Sequence, residues 1–165
     1  MPLFCALVLL TALFHVPAPA AAAPPAPLAQ ALAGRWEGTL QYRDYTTDNA
    51  VTLPTTVSVD AALRLAFTYD DGPGKTVRSS EQWTFDGTTL QMGAASAPLQ
   101  VSNYRSNERG DLVLIAFGNG IENGVPVEVR QIVLRQGDTL QISRASRLPQ
   151  QAWLLRHAYR LTVRR

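Results

Sequence analysis

Along most of this chain apolar residues recur at every second position, and almost nowhere at the three-and-four spacing of a helix. Alternation of that kind puts one set of side chains on each face of an extended strand. The end of the chain is the clearest case: Trp153, Leu155, His157, Tyr159, Leu161 and Val163 share one face, and Arg156, Arg160 and Arg164 the other. Ten such runs are expected, over residues 35–45, 51–59, 63–69, 76–85, 89–92, 99–105, 112–117, 127–135, 139–147 and 153–164. Turn formers separate them. Asp86-Gly87 and Gly137-Asp138 suit two-residue connections, and Asp71-Gly72-Pro73-Gly74 suits a longer loop. One helix-capable stretch, residues 28–33, precedes the first strand and stops at Gly34.

Short connections make successive strands antiparallel neighbours, with no crossover helices. Closing such a meander hides its apolar face and removes both of its edges. The expected fold is therefore all-β: an up-and-down antiparallel β-barrel of about ten strands with a short N-terminal helix, residues 34–165 forming a single domain. Trp36, Gly38, Leu40 and Tyr42 point inward from the first strand, and Trp83 and Phe85 from the fourth. The run 112–117 is apolar on both faces, so its outer face either lies under the N-terminal segment or forms a contact surface.

The start of the chain is different in kind. Residues 3–16 are almost wholly apolar but too few to span a bilayer, and a Pro- and Ala-rich run follows them. That pattern reads as a signal peptide over residues 1–22, cleaved after Ala20 or Ala22, then a Pro/Ala-rich spacer and short helix over residues 23–33. No Lys or Arg precedes the apolar run. A periplasmic or secreted location is expected, with no transmembrane segment in the mature chain. Cys5 and His15 leave with such a leader, so the mature chain has no cysteine, and His157 is its one histidine. Disulfides and zinc sites with Cys–His or two-His ligation are thereby excluded.

Charge adds little. From Arg130 onward there are eight Arg and one acid, Asp138, but alternation places most of these Arg at outward strand positions. With export, nucleic acid is not an expected partner. No Gly-x-Ser-x-Gly elbow and no phosphate-binding loop appears, and Asp70 and Asp71 are turn formers. No catalytic residue is assigned, and no enzymatic activity is expected.

What remains is a set of polar residues at inward phases: Tyr42, Glu81, Asn103, Gln131, Arg144, His157 and Tyr159. A ten-strand barrel is wide enough to leave a lumen in which they meet a ligand. The expected partner is a small hydrophobic or amphipathic molecule, and the expected assembly a monomer or weak dimer. The alternative is an envelope interaction module with a solid core.

Gly34-Arg35-Trp36 opening the first strand after a short helix, followed by a meander that ends in an Arg-bearing strand, resembles the calycin superfamily of lipocalin-like and fatty-acid-binding-protein-like barrels. The resemblance implies that Gly34 and Trp36 build the barrel floor and that Arg160 or Arg164 packs across the indole. It also implies a carboxylate held from late strands, here by Arg144 with the His157-x-Tyr159 pair, where that family has a second Arg in place of His157. The stretch from Gly137 to Arg165 resembles the end of the haem-binding nitrobindins, which implies His157 as a haem ligand. From the residues themselves no cofactor is expected.

Overall fold

The computed structural model describes residues 27–44, 47 and 49–165. The signal peptide expected over residues 1–22, with Cys5 and His15, lies outside the described residues, as do residues 23–26 of the spacer. Helix α1 (Pro27–Leu32) is followed by β1 (Gly34–Arg43), β2 (Ala50–Val59), β3 (Arg64–Asp70), β4 (Thr76–Phe85) and β5 (Thr89–Met92). Then come β6 (Leu99–Ser106), β7 (Leu112–Glu122), β8 (Val125–Gln136), β9 (Thr139–Arg147) and β10 (Leu154–Val163). Each strand pairs antiparallel with the next, and β10 pairs back onto β1 from Trp36–Val163 to Tyr42–His157, closing a ten-strand barrel.

β7 and β8 are longer than their apolar runs. They continue to a two-residue turn at Asn123-Gly124, whose φ values of 49° and 78° suit a tight hairpin. Gly118, Gly120 and Pro126 interrupt the alternation there. Gly118 packs closely against β6, since a Cβ at that position would lie 2.6 Å from Leu99 Cδ2 and push that side chain aside.

The floor end is apolar. Leu28 and Leu32 of α1 enter it beside Trp36, which is 1 % exposed and donates from Nε1 to the Leu32 carbonyl at 2.9 Å. The expected arginine over Trp36 is a correction. Arg160 lies between the inward Tyr159 and Leu161, so it faces outward and donates to Gln41 Oε1 at 3.2 Å, while Arg164 pairs with Glu37. The guanidinium over the indole belongs to Arg135 of β8, 5.4 Å from the ring centroid, and it also donates to the Ala31 carbonyl.

Two bulges correct the inward assignments further. In β10 the register shifts between Leu155 and His157, because an extra residue on one strand resets the alternation. His157, Tyr159 and Leu161 keep the inward phase, but Leu155 is 43 % exposed. Trp153 lies against Phe117 and between the guanidinium groups of Arg130 and Arg147, side chains of the outer face. In β6 the shift falls between Val101 and Asn103, which pairs Asn103 with the outward Ile115 and turns Tyr104 inward against Phe85. The outer face of β7 is only partly covered, with Phe117 39 % exposed.

Replacing Trp36 with alanine removes the indole from the floor and leaves a cavity under α1. The expected loss is about 3–5 kcal/mol of unfolding free energy. Urea melts of the two proteins measure it, and a loss below about 1 kcal/mol would show that the indole does not close the floor.

Candidate functional site

Sheet register puts the expected polar residues side by side. Gln131 of β8 pairs with Arg144 of β9, Arg144 with His157 of β10, and His157 with Tyr42 of β1. Directly opposed side chains have Cβ atoms about 5 Å apart, so these four residues occupy one rung of the barrel. Tyr159 stands two residues along β10, toward the floor. Glu81 comes from β4 across the lumen.

The rung overlooks a small chamber of about 60 Å³, lined by Glu81, Gln131, Arg144, His157 and Tyr159 with Phe67, Trp83, Met92 and Ile142. Tyr42 is on the rung but does not line the chamber. Above the chamber the wall is incomplete. The β4–β5 pairing ends at Trp83–Met92, β6 begins only at Leu99, and every residue from Thr76 to Gln82 is exposed. A cleft of about 830 Å³ occupies this gap, bounded by residues 93–97 on one side and by Asn119, Gly120, Ile121 and Pro126 on the other. Glu81, Met92 and Arg144 line both cleft and chamber, so the first leads into the second.

The electrostatics leave Arg144 as the cation of the site. Burial, reinforced by Arg144, lowers the pKa of His157 from 6.5 to about 4, so its imidazole is neutral near pH 7. Burial raises that of Tyr159, as does its hydrogen bond with Tyr69, at 2.9 Å between the hydroxyl oxygens. Glu81 accepts from Trp83 Nε1 at 3.0 Å, and no ion pair joins it to Arg144 among the described residues. Gln131 is 1 % exposed, and neither its Nε2 nor its Oε1 has a hydrogen-bond partner. Leaving a buried polar group unmatched costs about 1–3 kcal/mol. The chamber therefore presents a guanidinium fork, a primary amide and a neutral imidazole from the rung, with the Tyr159 phenol and the Glu81 carboxylate also in its lining.

The space directly before His157 is about 60 Å³ and is walled by Phe67 and Ile142. Among the described residues no three His, Cys, Asp or Glu gather in a way that could hold a metal ion.

The alternation of the last strand misplaced one arginine. The β10 bulge brings Arg156, expected outside, to the rim, where its Nη2 lies 2.5 Å from Glu122 Oε2. Its Nε donates to Ser146 Oγ at 2.6 Å, and Ser146 Oγ donates to Glu122 Oε2 at 2.9 Å. The side chains of Arg156 and Glu122 are only 19 % and 17 % exposed. The triangle joins β7, β9 and β10 beside the cleft, and no spacing in the sequence signals it.

Comparison of the chain with protein-family models, with curated proteins and with solved structures finds no match. No helix among the described residues is long and apolar enough to cross a membrane.

The depressed pKa of His157 gives stability a pH dependence of known sign. The unfolded chain takes up this proton near pH 6.5 and the folded chain only near pH 4, so stability is full above 6.5. It falls by about 1.4 kcal/mol per unit as the pH drops through that window. His157→Asn should lack this component. Chemical melts of both proteins from pH 7 to pH 4 give the difference, and a flat difference curve would mean that His157 is solvated.

Proposed function

We propose that the protein is an exported, calycin-like barrel that binds a small amphipathic molecule, with an acidic head group in the chamber and the apolar body in the cleft above it. The observation that carries this reading is Gln131, a fully buried amide with no partner, beside an Arg144 that forms no ion pair among the described residues. Both residues line the chamber of about 60 Å³. The sizes agree with a divided ligand. A chamber of about 60 Å³ suits a carboxylate, and a cleft of about 830 Å³, with Met92, Ala94, Ala95, Ala97, Leu99 and Ile121 on its walls, suits a short aliphatic body. Arg144 grips the head through paired N–H groups, as planar recognition of a carboxylate requires. Tyr159 and His157 supply polar contacts without adding charge.

Titration with a medium-chain fluorescent carboxylate and with the corresponding alcohol tests the reading. The acid should bind and the alcohol bind weakly. Arg144→Met should weaken the acid by about 1.5–3 kcal/mol, roughly ten- to more than a hundredfold, while leaving the urea midpoint near that of the wild type. Equal affinity for acid and alcohol, or an Arg144→Met protein that binds the acid as well as the wild type does, would overturn the assignment.

Export rests on the apolar run and small-residue cleavage pattern of residues 1–22. Material recovered from the host should begin at Ala21 or Ala23 by N-terminal sequencing, and an intact Met1 would contradict it.

A further inference from the structure

Gln131 asks more of a ligand than a carboxylate can give. A primary amide has two N–H donors and a carbonyl acceptor, and both ends of this one are unpartnered in a side chain 1 % exposed. A carboxylate only accepts, so it can answer Nε2 but never Oε1. The group opposite Oε1 must carry a hydrogen to donate. Register limits where that group sits on the ligand. Arg144 is the direct cross-strand partner of Gln131, and such pairs have Cβ atoms about 5 Å apart. Gln131 and Arg144 also line the same chamber of about 60 Å³, so only the carbons next to a carboxylate held there by Arg144 share that space with Gln131. A hydroxyl on one of those carbons meets both needs, its oxygen accepting from Nε2 while its hydrogen goes to Oε1. None of the neighbouring side chains bonds to Gln131: the Tyr159 hydroxyl pairs with Tyr69 and the indole N–H of Trp83 with Glu81.

We infer that the site selects amphipathic 2- or 3-hydroxy carboxylates over plain fatty acids, with the carboxylate on Arg144 and the hydroxyl on Gln131. The assignment rests on the lumen-binding reading above and sharpens it. Selection of this kind is steep, since a site built to hydrogen-bond a hydroxyl leaves its own buried group unpaired when the analogue lacks one.

Calorimetric titration of the protein with decanoate, 2-hydroxydecanoate, 3-hydroxydecanoate and 10-hydroxydecanoate tests it. At least one of the 2- and 3-hydroxy acids should bind about tenfold or more tightly than decanoate. The 10-hydroxy acid, with the same hydroxyl at the far end, should show no such advantage. In Gln131→Leu the ratio of hydroxy-acid to decanoate affinity should fall to about one. Equal wild-type affinities for decanoate and its 2- and 3-hydroxy derivatives would overturn the hydroxy-acid assignment and leave the amphiphile reading standing. An advantage that survives in Gln131→Leu would overturn the role given to Gln131. Failure of all four acids to bind would remove both readings. The wild-type comparison decides the matter even if Gln131→Leu does not fold.

Discussion

The pairing of β1 with β10 is the constraint on which the rest of this structure depends. Until those strands meet, the sheet has two open edges and one bare apolar face. Their approach is close enough that no side chain is tolerated at Gly38, where a Cβ would lie 2.1 Å from the Arg160 carbonyl oxygen. The same seam sets both ends of the barrel. Trp36 is registered against Val163 at the floor, and Tyr42 against His157 near the site, six residues along each strand. Floor and candidate site are thus two ends of one hydrogen-bonded ladder.

The interior divides along that ladder. Toward the floor the inward positions are apolar and fully buried, among them Trp36, Leu65, Leu90, Leu112, Leu114 and Leu140. Higher up the rung carries Gln131, Arg144 and His157, groups that contribute little to burial and in the case of Gln131 oppose it. An apolar core offsets that cost at one end, so the other end can keep polar groups poised in a low-dielectric space. The four-residue β5 and the late start of β6 open the wall just above them. A ligand could then reach the rung from the side, past residues 93–97, without the strands parting.

The triangle of Arg156, Glu122 and Ser146 stiffens the opposite margin of that opening. It ties the β7–β8 hairpin to β9 and β10, so the cleft has one wall pinned by charge-assisted hydrogen bonds and another made of the Gly93–Ala97 connection. A partly buried ion pair contributes modestly to net stability, because desolvation consumes much of the attraction. Its geometry still fixes where the hairpin stands.

Period-two alternation by itself determined the number of strands, their order and the side to which most residues face. Closure followed, since short connections and one apolar face admit few other solutions. The chemistry of the rung was legible for the same reason: Tyr42, Gln131, Arg144 and His157 were all placed inward by phase alone. The sequence could not show that these four share one level of the barrel, because that is a property of register across four strands and not of spacing along any one. Nor could it locate the bulges in β6 and β10. A bulge adds one residue without altering composition, yet it reverses every inward assignment on one side of it. That reversal sent Asn103, Trp153 and Leu155 outward and turned Tyr104 and Arg156 in. The arginine over Trp36 was missed on similar grounds, since Arg135 reaches the indole through the folded position of β8 and not through the last strand. Alternation alone already limited β5 to residues 89–92 and started β6 at 99; only tertiary structure decided that the resulting gap lies beside the rung.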